Sequence, residues 1–371
     1  MAVPLLDLRA QFDAIRDEVM PSLLAVVERQ QFIMGEEVGR LEEAVAGLCH
    51  ARHAIACASG TDALLLSLKL LDLEPGDEVI TSPFTFFATA GAIWNAGGKP
   101  VFVDIAPDTF NLDVAQVEAA LTPRTRALVP VHLFGQMAPM EQVMALAERH
   151  GLAVIEDAAQ AIGARRRMDG AWKMAGELGT TAAFSFFPSK NLGAWGDAGM
   201  IVTQDAARAE RLRKLRTHGG AKQYHHEEVG TNSRLDTLQA AVLLAKLPHL
   251  AAWSEGRRRR AARYHEALAG LDGVRPPVVD PGNEHIYHQY TIRAQRRDAL
   301  QGHLGKLGIG CAVYYPTPLH LQPCFRHLGY RQGQFPQAEC AAREVLSLPV
   351  YPELSDALQD QVVDAVRGFY A

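Results

Sequence analysis

The sequence predicts an α/β protein: a seven-stranded, mostly parallel sheet followed by a smaller α+β C-terminal domain. Seven short apolar runs, at 53–58, 78–82, 100–104, 127–131, 153–156, 182–187 and 200–203, read as buried strands. Helical patterns at 62–71, 86–96, 113–121 and 139–150 separate the earlier ones. Strand, helix and strand repeated this often imply a parallel sheet with helices on both faces. After about residue 204 the alternation stops. With 371 residues, the chain is long enough for two domains, placed here at 1–250 and 251–371.

In order along the chain, residues 11–28 carry Phe12, Ile15, Val19 and Leu23 at helical spacing, and 35–48 carry Val38, Leu41, Val45 and Leu48. The seven strands follow. Beyond them come a helical start at 206–215, a polar, turn-rich segment at 219–236, and an amphipathic stretch at 233–247 built on Leu235, Leu238, Val242 and Leu243. The arginine run 257–260 reads as a charged helical face near the domain boundary. Further strands and helices, fewer than before, are expected at 290–294, 299–307, 311–315, 338–345 and 355–369.

Composition narrows the function. A formal charge of −5 lacks the basic footprint of a nucleic-acid binder. No apolar run approaches the length of a membrane span, and the first twenty residues lack the basic and apolar regions of a signal peptide. The five cysteines are scattered without metal-ligand spacing, as expected of reduced thiols in a cytoplasmic protein, and no metal site is expected.

The segment 182–203 is the centre of the chemistry. A buried strand ends at Pro188, Lys190 follows, and a turn punctuated by Gly193, Gly196 and Gly199 leads into the next strand. A lysine that captures a carbonyl carbon needs such a mounting, because its amine must be held still and partly desolvated. Ser59-Gly60-Thr61 stands where a strand becomes a helix, an arrangement that suits a phosphate and equally an ordinary helix cap. Phe86 follows the second strand, where an aromatic can stack on a flat ring or join the core. Asp157 and Gln160 close the fifth strand, where an acid can hold a protonated ring nitrogen or cap a short helix. Gly60, Thr61, Phe86, Asp157, Gln160, Ser185 and Lys190 all fall at strand ends on one sheet edge. Jointly they fit pyridoxal 5′-phosphate, through a covalent lysine, an acid on the ring nitrogen, a stacking ring and phosphate donors.

The motifs Ser59-Gly-Thr-Asp-Ala-Leu64, Ile155-Glu-Asp-Ala-Ala-Gln160, Ser185-Phe-Phe-Pro-Ser-Lys-Asn-Leu-Gly193, Gly196-Asp-Ala-Gly199 and Asn232-Ser-Arg-Leu-Asp236 resemble, over essentially the full length, the DegT/DnrJ/EryC1/StrS family of sugar aminotransferases. The resemblance implies the type I, aspartate-aminotransferase-like fold of pyridoxal-phosphate enzymes and a homodimer with sites at the subunit interface. It implies Lys190 as the cofactor-bearing lysine, Asp157 on the ring nitrogen, Gln160 on the 3′-oxygen and Phe86 stacked on the ring. Gly60, Thr61 and Ser185 would contact the phosphate, and Asn232 the phosphate of the neighbouring subunit. Arg234 is the candidate for a substrate carboxylate, and Tyr315 and His320 for the sugar. The implied reaction transfers the amino group of L-glutamate to a nucleotide-linked keto sugar in surface polysaccharide or amino-sugar biosynthesis. The chain is particularly similar to the UDP-2-acetamido-2-deoxy-3-oxo-glucuronate aminotransferases. It departs from them at Tyr314-Tyr315-Pro316, where they tend to carry His-Tyr-Pro. That departure leaves a dTDP-3-keto-6-deoxyhexose as the alternative sugar, and a non-catalytic sugar-nucleotide-binding regulator as the alternative role.

Overall fold

The computed structural model describes residues 2–222 and 224–371; Gln223, within the polar segment, lies outside the described residues. Two helices open the chain, α1 (Leu8–Arg29) and α2 (Glu36–Leu48). The alternating part follows as β1 (His53–Cys57), α3 (Gly60–Lys69), β2 (Glu78–Thr81), α4 (Ala88–Asn95), β3 (Lys99–Phe102), α5 (Val114–Ala120), β4 (Thr125–Val129), α6 (Met140–His150) and β5 (Ala153–Asp157). A hairpin, β6 (Arg165–Met168) and β7 (Ala171–Met174), precedes β8 (Thr181–Ser185) and β9 (Gly199–Thr203). Helices α7 (Ala206–Leu215), α8 (Thr237–Lys246) and α9 (Leu250–Leu268) come next. The chain ends through β10 (Val274–Arg275), β11 (Asn283–Glu284), β12 (Tyr290–Ala294), α10 (Arg297–Lys306), α11 (Pro336–Glu344), β13 (Val345–Leu348) and α12 (Asp356–Tyr370).

All seven predicted strands join one sheet, in the order β1-β9-β8-β5-β4-β2-β3, and β9 alone runs antiparallel to its neighbours. Their apolar runs are unbroken because both faces are covered. Ala54, Ala56, Val154, Ala182 and Phe184 point into a core shared with α2, α5, α6 and α8. Ile55, Cys57, Ile155 and Ala183 point into a second core shared with α3, α4 and α7. Parallel pairing brings the carboxyl ends of β2, β5 and β8 to one edge; β9 starts there antiparallel to β8 and brings the end of β1 to the same edge, with Gly199 paired to both Cys57 and Ser185.

A third core gathers α9, α10, α12 and the sheet β10-β12-β13, and it also takes in Val3 from the N-terminus. Here the sequence expectations need correction. Residues 311–315 form no strand; Ala312 makes a single bridge to Ser347. The central strand partner is β13, hidden at the end of the 338–345 helical pattern. The run 257–260 lies inside α9, and Arg257 is buried rather than part of a solvated face. No helix among the described residues is long and apolar enough to cross a membrane.

Close approach at the sheet edge makes one glycine irreplaceable and another not. A Cβ on Gly199 would overlap the Ser59 carbonyl, whereas one on Gly39, in α2, meets nothing within 4 Å. Gly199→Ala is expected to lower stability to urea by more than about 2 kcal/mol, and Gly39→Ala to raise it by about 0.5–1 kcal/mol.

Candidate active site

The loops leaving this edge enclose a cavity of ≈ 570 Å³. Of the residues singled out from the sequence, Gly60, Thr61, Phe86, Asp157, Gln160, Ser185, Lys190 and Tyr315 line it. Gly60 and Thr61 open α3, so their amides have no intrahelical acceptor. Ser59 caps the helix, accepting from the Asp62 amide at 3.1 Å. Gly60 lies against Ser185: a Cβ there would come within 2.6 Å of the serine Cβ. The missing side chain keeps amides and hydroxyl together as a small polar cradle.

Strand alternation separates two neighbouring acids. Glu156 turns into the core, where it meets His132 Nε2 at 2.8 Å and accepts from the amides of Gly176, Leu178 and Gly179. Asp157 turns to the cavity side. Its Oδ2 accepts from the Thr89 hydroxyl at 2.7 Å and its Oδ1 from the Ala159 amide at 3.2 Å. Only 5% of Asp157 is exposed, and burial raises its pKa above the usual carboxylate value, with Thr89, Ala159 and Lys190 pulling the other way.

Lys190 follows the turn in which its amide donates to the Phe187 carbonyl at 2.8 Å. Desolvation brings its amine down to about 8, against the opposing attraction of Asp157. A carboxylate and an amine are thus held in one desolvated space, each needing the other or a ligand charge. Phe86 borders the same space and is 57% exposed, an apolar ring face with no protein covering it. Gln160 accepts from the Phe134 amide at 2.7 Å and donates to the Tyr315 hydroxyl at 2.9 Å. Tyr315 in turn lies 6.2 Å from Phe86, ring to ring.

Three expected residues lie elsewhere. His320 is a correction: it is buried against Phe335 and paired with Glu339 at 3.1 Å, outside the cavity lining, because the short helix at Leu319–Leu321 turns it into the core. Arg234 borders a separate groove formed by the 217–230 segment. Asn232 is exposed, and its chain neighbour Ser233 donates to Asp62 at 2.6 Å, tying this loop to the start of α3. The structure also adds residues that sequence reasoning missed. Thr89 lies one helical turn beyond Thr85, bonds it at 3.0 Å and orients Asp157. Asn191 and His288 face each other at 3.2 Å, and His288 lines the cavity. Asn191 adjoins the lysine in sequence, but His288 arrives from a distant segment with no local signal.

The lining fits pyridoxal 5′-phosphate. It offers a polar cradle beside free amides, a bare aromatic face, a buried carboxylate that a ring cation would satisfy, and an amine with a depressed pKa. Among the described residues, no group of three or more His, Cys, Asp or Glu is placed to hold a metal.

Comparison with known proteins agrees. The model of the DegT/DnrJ/EryC1/StrS aminotransferase family matches residues 13–367. A protein named as a pleiotropic regulatory protein from Geobacillus stearothermophilus is 54% identical, covering 100% of this chain and 99% of its own. A UDP-N-acetyl-3-dehydro-alpha-D-glucosamine 3-aminotransferase from Acidithiobacillus ferrooxidans is 48% identical over 99% of this chain and 97% of its own. The crystal structure of DesV from S. venezuelae, in complex with a ketimine intermediate, superposes with a TM-score of 0.96 at 45% identity, covering 100% of this chain and 98% of that one.

The electrostatics generate one expectation testable without any ligand. Asp157→Asn removes the attraction that opposes desolvation, so the Lys190 amine should titrate below about 8. The pH dependence of Lys190 acylation in cofactor-free protein, followed by peptide mass spectrometry, measures this. An unchanged or higher value would show that the carboxylate is not the partner.

Proposed function

Because the chain belongs to the DegT/DnrJ/EryC1/StrS aminotransferase family, and is thereby a sugar aminotransferase dependent on pyridoxal 5′-phosphate, we propose that it moves the amino group of L-glutamate onto a nucleotide-linked 3-keto sugar. UDP-2-acetamido-2-deoxy-3-oxo-glucuronate is the model substrate, and the product serves surface polysaccharide or amino-sugar synthesis. The observation that carries the reading is the desolvated Lys190 beside the buried Asp157, in a cavity bordered by the uncovered Phe86. The relative named for 3-amination of a UDP sugar supports carbon 3. Tyr314-Tyr315-Pro316 keeps a dTDP-3-keto-6-deoxyhexose as the second reading, since the glucuronate enzymes tend to carry His-Tyr-Pro there.

When bound, pyridoxal 5′-phosphate supplies the aldehyde carbon that takes the amino nitrogen and the ring that accepts the electrons of the broken C–H bond. Lys190 would hold it through Nζ. The same amine, once free, would take up and return the proton of the amino donor's α-carbon. Its lowered pKa matters here. Near 8, about a tenth of the amine is free base at pH 7, whereas near 10.5 only a few ten-thousandths would be. Asp157 would keep the ring nitrogen protonated, because its buried charge is satisfied by a cation. Phe86 would stack on the ring and Gln160 would contact its 3′-oxygen. The Gly60 and Thr61 amides and the Ser185 hydroxyl would hold the phosphate.

Asn232 and Arg234 serve the site of a second copy in a homodimer. Two features of the loop support this: the apolar side chains Tyr224 and Val229 are 89% and 86% exposed, and Arg234 lies on the groove beside them.

Three outcomes follow. Lys190→Ala should abolish the absorbance band of the bound cofactor and cut turnover by about 10³-fold or more. A panel of UDP- and dTDP-linked keto sugars with L-glutamate, read by mass spectrometry, should show amination of 3-keto substrates; turnover of 4-keto sugars alone would reject the assignment. Mixed dimers of Lys190→Ala and Asn232→Ala chains should regain activity that neither variant has alone. No recovery would mean that Asn232 does not serve a neighbouring site.

A further inference from the structure

His288 reaches the cavity from the far side of the sequence, and its surroundings determine which of its nitrogens carries the proton. Asn191, the residue after Lys190, donates its Nδ2 to the Ile286 carbonyl at 3.1 Å. That contact leaves the amide oxygen of Asn191 turned towards His288 Nδ1, 3.2 Å away. An oxygen accepts, so Nδ1 carries the hydrogen, and in the neutral ring Nε2 is left with a lone pair. His288 is only 6% exposed and lines the cavity, and Nε2 has no hydrogen-bond partner among the described residues.

The backbone that carries the ring is braced on both sides. Arg257 donates to the carbonyls of Tyr287 at 3.1 Å and Val350 at 2.8 Å. On either side of His288, the amides of Ile286 and Gln289 donate to Gly135 and Phe134 at 3.0 and 3.3 Å. Nor does the ring hold a proton readily. Burial keeps its pKa well below 6.5, and the nearby Lys190, Arg257 and His285 push the same way. A neutral, buried imidazole accepts a hydrogen bond without taking the proton. This separates a positioning role from that of a general base.

Lys190 needs such an acceptor at one stage only. Among the described residues, Asp157 is the charged partner acting on its amine. Once Asp157 is engaged by the ring nitrogen, the freed amine faces a desolvated space without a counter-charge. We propose that His288 is a positioning residue for Lys190: its Nε2 accepts a hydrogen bond from the Lys190 amine while Asp157 is occupied, and so aims the lysine back at the reacting carbons. The proposal rests on the reading of Lys190 as the cofactor-bearing lysine.

Two substitutions divide the ring into its halves. Asparagine mimics Nδ1 and keeps the contact to Asn191 but removes the acceptor in the cavity; glutamine reaches the position of Nε2 and gives up Asn191. His288→Asn should therefore lower kcat about tenfold or more with KM for glutamate within about twofold, and His288→Gln should recover most of that loss. In cofactor-free protein carrying Asp157→Asn, where the carboxylate no longer competes, adding His288→Asn should lower the Lys190 amine pKa by about half a unit or more, and adding His288→Gln should not. Rescue by asparagine but not glutamine, or an unchanged Lys190 titration and kcat in His288→Asn, overturns the proposal. Imidazole ¹⁵N shifts of the unsubstituted protein check the tautomer without any folding risk: the unprotonated-type signal belongs to Nε2, and finding it at Nδ1 overturns the proposal. Borohydride reduction of the unsubstituted protein with pyridoxal 5′-phosphate and peptide mapping tests the underlying reading separately, since a label away from Lys190 removes that reading whatever His288 does.

Discussion

An amine and a carboxylate held in one cavity form the constraint on which the rest of the molecule depends. Neither Lys190 nor Asp157 would be stable there alone, because burying an unpaired charge costs several kcal/mol (about 3–5 when a partner is removed). Together they tolerate burial, and the attraction of each moves the other's pKa towards the charged form. The pair is an unfinished ion site. A ligand with a ring cation and an aldehyde carbon completes it, which is the chemistry of the cofactor this family uses.

Holding that pair requires support from several layers. Lys246 of α8 is buried and donates to the Gly193 carbonyl in the Lys190 loop at 2.7 Å, and desolvation brings its own amine to about 8. Gln239 of the same helix accepts from the Trp195 amide at 2.8 Å. Arg257 of α9 binds the backbone beside His288, and burial lowers its pKa to about 10. Glu353 stands near both cations and raises the pKa of each. These charged groups come from α8, α9 and the approach to α12, so segments far along the chain brace the reactive loop through Lys246 and the His288 backbone through Arg257. A buried cation that satisfies carbonyl oxygens fixes backbone geometry more tightly than apolar contact does.

The sheet was legible because its strands are buried on both faces and therefore read as continuous apolar runs, whatever packs on them. That the candidate residues meet at the sheet edge was legible for a related reason: in a parallel sheet the strands end on one side, so position along the chain reports position in space. The resemblance then assigned roles that spacing alone left open. Elsewhere these rules failed. The strand β13 follows α11 without a break, so a helical period masked it. The arginine run of α9 looked like a solvated face, and only packing shows that Arg257 points inward. His320 had a plausible place near Tyr315, but a turn of 3₁₀ helix sends it to Glu339.

What the sequence by itself determined is the set of parts: the alternating framework, the lysine on its glycine-bracketed loop, the acid at the end of β5 and the family to which they belong. Local residue chemistry and strand period carry that information over a few residues at a time. The tertiary structure decided which of two adjacent acids faces the cavity, how far the lysine is desolvated, and that a histidine almost a hundred residues downstream lines the same cavity. Those outcomes depend on burial and on contacts between distant segments. Both arise only when the chain is closed up, because solvent exclusion is a property of the assembled layers and not of any stretch of sequence.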